Sequence, residues 1–210
     1  MESPLRKSLP RDARLIETFR WEPDAGFINL DHHLARMERS AEVLGFDYED
    51  LWALYVVQAS GDVPLRCRLT LGEEGFDFTS APLGATPDLW SIVISDVRLS
   101  SEDALLGHKT TRRELYDQAR AQMPEGVDEA LMLNEKGEVC EGTITNIFVT
   151  LPSGEIVTPP LTSGLLPGIQ REMQIEAGAV ERVVTPDMLR SAVAIHMGNS
   201  LRGMIRAELV

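Results

Sequence analysis

Lysine is scarce in this chain, and one of its copies is placed where an amine could do chemistry. The only lysines are Lys7, Lys109 and Lys136; the other basic residues are arginines. Lys7 lies in a polar stretch with prolines nearby, and Lys136 sits at the tip of an expected hairpin, NEKGE, where lysine is ordinarily solvated. Lys109 alone follows a strand-like segment and precedes a helix. A positioned lysine amine is a nucleophile toward carbonyl groups. Farther along, Glu141 and Asn146 interrupt an otherwise apolar strand region, EVCEGTITNIFV, and buried polar groups are costly unless they find partners. Next, Leu165-Leu166-Pro167-Gly168 leads into GIQREMQIEAG, a helix whose first amides, at Ile169 and Gln170, attract phosphate. On an earlier strand, Arg66 and Arg68 share a face; they could bind a substrate carboxylate or simply form a salt-bridged outer sheet surface. No metal-ligand spacing links His33, His108 and His196, which read as structural or loop histidines.

The elements that must hold these residues follow from periodicity. Residues 1–14 read as an arm or loosely ordered tail. LIETFRW (15–21) alternates as a strand, and Pro23, Asp24 and Gly26 bend the chain after it. DHHLARMERSAEVLG (31–45) is an expected helix with Asp31 as N-cap and Gly45 past its end. Leu34, Met37, Ala41 and Leu44 form its apolar stripe, with His33, Arg36 and Ser40 on the neighbouring face. Residues 48–61 form an expected second helix. Residues 63–72 and 76–82 pair as a hairpin. The loop 83–87 is the expected linker between a small N-terminal α+β domain, 1–82, and a larger C-terminal domain, 88–210. In the second domain a strand at 90–99 is followed by a helix at 110–123, with Leu115, Tyr116, Ala119 and Met123 on one side. A hairpin turns at 134–137. Val139, Ile144, Ile147, Phe148 and Val149 make a β-rich run, Pro152-Ser153-Gly154 turns it back, and Thr158-Pro159-Pro160 breaks the returning strand. Thr185-Pro186 starts a helix. A strand, a turn and a last strand or short helix close the chain.

With 210 residues the chain can bury a sizeable core, and its 43% hydrophobic and 25% charged content is ordinary for a soluble globular protein. No apolar run approaches the ~18 residues that span a bilayer, and the start of the chain has no signal-peptide pattern; a cytoplasmic location is expected. A net charge of −13 argues against nucleic acid or an anionic membrane as partner, so an anionic ligand would need a local basic cluster. Cys67 and Cys140 read as two buried, reduced thiols.

Three segments in order, EGTITNIF, TPPL and GLLPGIQR, resemble the class IV aminotransferases, the fold-type-IV enzymes that use pyridoxal 5′-phosphate (PLP). The resemblance runs from LIETFRW to GNSLRG, nearly the whole chain. It implies a two-domain α+β fold of the D-amino-acid aminotransferase type with a shortened N-terminal domain, and a homodimer acting on a small amino-acid-like substrate. HKTTRRELYDQA matches the segment with the Schiff-base lysine, which makes Lys109 the catalytic amine. Glu141 matches the glutamate that faces the pyridine nitrogen and keeps it protonated. HLARMERSA closely matches HLxRLxxSA, whose arginine pairs with the cofactor phosphate; here it is Arg36. Ile169 and Gln170 add helix-start amides, Asn199 or Ser200 in GNSLRG matches a third phosphate-loop position, and Asn146 matches an asparagine near the ring.

Two reactions of the family compete: pyruvate elimination by 4-amino-4-deoxychorismate lyase, giving 4-aminobenzoate, and amino-group transfer of the branched-chain or D-amino-acid type. Three features lean to the lyase. Thr18 matches a position where lyases carry a hydroxyl near the reacting atoms, Glu114 stands where branched-chain transaminases have tyrosine, and GNSLRG resembles the lyase pattern. Arg112 departs from the family, which often has Asn there. A third reading is a PLP-binding protein with little catalysis.

Overall fold

The computed structural model describes residues 5–210, and its strands fall into two sheets in two compact units. The first unit comprises the described residues up to Ala85 together with His108–Arg112. It contains β1 (Leu15–Glu22), β2 (Gly26–Phe27), α1 (Leu30–Leu44), α2 (Asp50–Val56), β3 (Leu65–Gly72) and β4 (Gly75–Pro82). The antiparallel sheet has the order β2-β1-β3-β4.

Alternation puts Leu15, Glu17, Phe19 and Trp21 on one face of β1, and all four are buried. Phe19 contacts the His33 ring of α1 and the rings of Phe27 and Phe78. Leu34, Met37, Ala41 and Leu44 are all buried, as their spacing requires. The helix starts one residue earlier than expected. Its N-cap is Asn29, in the left-handed region at φ 57°, and Asp31 lies in the first turn, where a carboxylate favours the positive end of the dipole. Gly45, at φ 74°, ends it by donating to Ala41 O. The second helix is shorter than expected, because the chain is extended from Val57.

The stretch expected to be a loose arm is anchored by Arg6, Leu9 and Ala13, which are buried; the first four residues lie outside the described residues. Arg6 is buried over the Phe46 ring, 4.2 Å from its centroid, and pairs with Glu73 at 3.1 Å. Arg14 donates to Thr70 Oγ1 and Gly75 O, each at 2.9 Å. No helix among the described residues is long and apolar enough to cross a membrane.

The second unit contains β5 (Leu89–Leu99), α3 (Glu114–Ala121), β6 (Glu129–Asn134), β7 (Val139–Gly142), β8 (Asn146–Thr150) and β9 (Ile156–Thr158). Then follow α4 (Ile169–Glu176), β10 (Val180–Glu181), α5 (Pro186–Arg190), β11 (Ala194–Asn199) and β12 (Gly203–Leu209). Helix α3 begins four residues later than its pattern implies, and Leu115 is exposed while Tyr116, Ala119 and Met123 pack inward. Helix α5 has the expected start, with Thr185 Oγ1 accepting from Met188 N–H and Pro186 at its first position. The chain ends on a strand, β12.

The eight-stranded sheet has the order β10-β9-β8-β11-β12-β5-β6-β7. The β-rich run around Glu141 is therefore two strands and not one. Strand β7 is an edge, β8 is interior, and four strands separate them in the sheet order. In a flat sheet that separation would be roughly 24 Å at the usual spacing. Only Thr143, Ile144 and Thr145 join the two strands, a reach of about 14 Å at most from Gly142 to Asn146. The sheet must curl, and a backbone bond from Val139 N–H to Val184 O, at 2.8 Å, fixes the edge strand where it curls back. The core behind it is continuous, with Ile92, Leu131, Val139, Ile147, Val149, Val157 and Val184 fully buried. Both units mix helices with largely antiparallel sheet, an α+β fold.

Candidate active site

In the second unit, β7 and β8 carry the polar residues that interrupt the apolar pattern, one on each side of the turn that joins them. Glu141 is buried and accepts the Tyr116 hydroxyl at 2.7 Å on Oε1. Asn146 Nδ2 donates to Leu166 O at 3.0 Å and lies 3.4 Å from Glu141 Oε2. The turn between them is tied to a second carboxylate. Glu129 is fully buried; its Oε1 accepts the Thr143 amide at 3.1 Å and the Thr143 hydroxyl, while Oε2 accepts the Ile144 amide at 3.2 Å and the Thr145 hydroxyl at 3.0 Å. Arg113, the N-cap of α3, and Arg120 within it donate to Thr143 O and Oγ1, at 2.8 and 2.7 Å. A charged group satisfied by this many donors rigidifies what it binds.

Helix α4 starts beside this cluster. Its N-cap is Gly168, which has no side chain to offer the first amides. A side chain there would collide with Asn146 Oδ1, so the close approach of Asn146 to the helix start requires glycine. Gly198, at the end of β11, is Asn146's register partner, and a Cβ built on it would lie 3.3 Å from Gln170 Cγ. The structure therefore brings Glu141, Asn146, Ile169, Gln170 and the turn after Gly198 into one neighbourhood. In that turn Asn199 is engaged at both ends of its amide: Oδ1 accepts from Arg202 N–H at 2.9 Å and Nδ2 donates to Ile144 O at 3.2 Å. Ser200 is half-buried beside it.

The first unit holds the other residues singled out by sequence. The face of α1 bearing His33, Arg36 and Ser40 is buried. Arg36 forks Glu17 of β1, Nε to Oε1 at 2.8 Å and Nη2 to Oε2 at 2.6 Å, and His33 Nδ1 reaches Oε2 at 2.5 Å. Burial alone would raise the Glu17 pKa; the Arg36 charge and the hydrogen bonds from His33 and Arg36 outweigh it and bring it down to about 2. That edge of Arg36 is committed to a carboxylate, so a phosphate would have to meet another edge of the guanidinium.

Glu17 gives the fold an acid-sensitive element. A carboxyl whose folded value lies below its unfolded one contributes stability that is full above pH ~4.5 and withdrawn as pH falls toward 2. The shift corresponds to about 3 kcal/mol. Unfolding free energies measured by denaturant titration between pH 5 and pH 2 are expected to fall more steeply for the wild type than for Glu17→Gln. Parallel curves would show that Glu17 is not the group responsible.

Thr18 and Arg68 are directly opposed in the β1–β3 ladder, as are Arg20 and Arg66 in the next row, so the four share the face of the sheet opposite Glu17. Arg66 and Arg68 are exposed there. Lys109 is half-buried in the segment 108–112, which returns to the first unit and lies antiparallel to the start of β1. Ile16 N–H donates to Lys109 O at 2.9 Å, and Thr111 N–H donates to Arg14 O at 2.9 Å. His108 Nδ1 lies 3.0 Å from Ser40 Oγ, and burial pushes its pKa below the ordinary imidazole value.

The model of the family described as amino-transferase class IV matches residues 14–210. The chain belongs to that family. A probable branched-chain-amino-acid aminotransferase of Thermotoga maritima is 32% identical over 192 residues, covering 81% of this chain and 67% of the relative. A Mesorhizobium loti structure, provisionally named an amino-acid aminotransferase, has a TM-score of 0.90 and 41% identity, covering 95% of this class IV chain and all of the other. The 4-amino-4-deoxychorismate lyase of Pseudomonas aeruginosa has a TM-score of 0.80 and 25% identity, covering 93% and 82%. Class IV aminotransferases are PLP enzymes.

The donor set of the second unit fits such a cofactor. A buried carboxylate suits a protonated ring nitrogen, and the bare helix start beside the Gly198 turn suits a phosphate. Glu17, Glu129 and Tyr116 were missed by sequence reasoning. Two of them left a signal: Glu17 stands midway along an apolar strand face, and Glu129 opens a strand whose six residues are all buried. Tyr116 left none, because a tyrosine on the inner side of an amphipathic helix needs no partner beyond the core.

Proposed function

We propose that the protein binds PLP and catalyses elimination of pyruvate from 4-amino-4-deoxychorismate, leaving 4-aminobenzoate. When bound, the cofactor supplies a sink for the electrons of a bond broken at the substrate's amino carbon. The resemblance assigns Lys109 to moving a proton at the reacting carbon, Glu141 and Asn146 to the ring, and Arg36, Ile169, Gln170 and either Asn199 or Ser200 to the phosphate; the engagement of both ends of the Asn199 amide favours Ser200. Two domains divided at 83–87, a cytoplasmic location and a homodimer belong to the same reading; sedimentation analysis tests the last.

The observation that carries the lyase choice is the row formed by Thr18 and Arg68, with Arg20 and Arg66 beside it. Arg20 is paired with Glu22, and the hydroxyl beside the exposed Arg66 and Arg68 supports a substrate bearing two carboxylates, which the lyase substrate has. Amino-group transfer is the second reading, favoured by the Mesorhizobium loti relative, whose whole chain is covered. The test supplies purified protein with 4-amino-4-deoxychorismate and, separately, with a panel of L- and D-amino acids and 2-oxoglutarate. Equal amounts of 4-aminobenzoate and pyruvate are expected. Keto acids from the panel without 4-aminobenzoate would overturn the lyase in favour of transfer. Cofactor absorbance without any product would favour a binding protein.

A further inference from the structure

We propose that Tyr116 is a positioning residue that orients Glu141 toward the cofactor ring and keeps it ionised. The proposal rests on the PLP reading above and adds a residue which that reading does not use.

Three observations carry it. The phenol donates to Glu141 Oε1 at 2.7 Å, and a hydrogen bond to an ionised acceptor is among the strong ones. The Tyr116 ring packs against the cluster of Val97, Leu106, Ala119 and Cys140, with the Arg113 guanidinium 5.0 Å from its centroid, so the hydroxyl is aimed by a rigid surround. Arg113, the N-cap of α3, also donates to Thr143 O at 2.8 Å, so the start of this helix holds both the carboxylate and the turn that follows it.

The charged and titratable groups around Glu141 in this unit act together. From α3 and its N-cap come Tyr116, Arg113 and, through Thr143, Arg120; from β6 comes Glu129, which holds the turn; Cys140 lies in β7 and Glu138 just before it. Burial, then the Glu141 charge, push the phenol well above its ordinary value, which favours its donor form. Cys140 is likewise pushed up by burial and by neighbouring carboxylates, and stays a neutral thiol. A phenol that donates its hydrogen bond favours the charged form of the carboxyl it touches. Glu141 in turn favours the protonated ring nitrogen.

The decisive experiment measures PLP affinity by fluorescence quenching across pH in four proteins: wild type, Tyr116→Phe, Glu141→Gln and the double variant. Tyr116→Phe keeps the ring and removes one oxygen. It is expected to weaken binding about 10-fold, the lower range for a hydrogen bond to a charged group, and to move the acid-side loss of binding to higher pH. In the Glu141→Gln background the same change is expected to have little effect, because the charge it serves is gone. Equal losses in both backgrounds, or an unmoved acid limb, would overturn the proposal. Tyr116→3-fluorotyrosine keeps the ring and makes the hydroxyl a stronger donor; it is expected to move the acid limb below that of wild type, and a shift in the other direction counts against the idea even if the Phe variant folds poorly. Wild-type protein that fails to bind PLP at all would sink the cofactor reading and this inference together, whereas binding with additive losses would sink this inference alone.

Discussion

Replacing Lys109 with alanine is expected to lower turnover by on the order of 10⁴-fold or more, the scale on which a group that both attacks and shuttles protons is felt. The substitution isolates the amine because the backbone around it is held independently of the side chain. Lys109 O accepts from Ile16 N–H, Thr111 N–H donates to Arg14 O, and the Thr111 hydroxyl accepts from the Arg14 amide at 2.9 Å. Arg112 N–H closes the segment onto Thr110 Oγ1 at 3.2 Å. The melting temperature is therefore expected to change little. Borohydride treatment of wild type in the presence of PLP, followed by peptide mass spectrometry, should find the cofactor on the peptide containing residue 109 and on neither Lys7 nor Lys136, both exposed. Turnover near the wild-type level in Lys109→Ala, or label on another lysine, would remove this residue from the chemistry.

Glu141→Gln is expected to lower turnover by about 10²–10³-fold, the usual cost of deleting one electrostatic partner of a reacting group. Glutamine matches the volume of glutamate, and its carbonyl still accepts from Tyr116, so the buried cluster keeps a satisfied hydrogen bond. What disappears is the negative charge that favours a protonated ring nitrogen. The expected signature is a fall in kcat with a changed absorbance spectrum of bound PLP and nearly unchanged thermal stability. A loss of stability as large as the loss of rate would mean that Glu141 is structural. Because Glu129 holds the following turn through both its oxygens, the Glu141 substitution should not unravel the segment.

Much of the local structure was legible because it depends on neighbours in the chain. The stripe of Leu34, Met37, Ala41 and Leu44, the glycine at 45 and the Thr185-Pro186 start all specify backbone geometry within a turn or two, and each is found where its spacing puts it. Errors came where distant contacts overrode local preference. Asp31 is a good N-cap by type, but the left-handed residue Asn29 begins the helix. The stretch around Val139 to Val149 reads as one strand by composition, yet Glu129 captures Thr143 and Thr145 and folds a turn into it. The N-terminal arm looks solvated by composition, but Arg6 and Arg14 find acceptors about sixty residues away.

By itself the sequence determined the family and the fold class, because EGTITNIF, TPPL and GLLPGIQR in that order resemble the class IV pattern, which the match over residues 14–210 bears out. It also singled out one lysine of three by context alone. Only the tertiary structure decided what surrounds the charged groups. Glu17 takes Arg36 and His33, Tyr116 takes Glu141, and the segment bearing Lys109 returns to the first unit instead of staying with the strand before it. The reason is physical. Periodicity records which side of an element is apolar, but a buried charge is settled by donors from other elements, and their distance in sequence carries no trace of their distance in space.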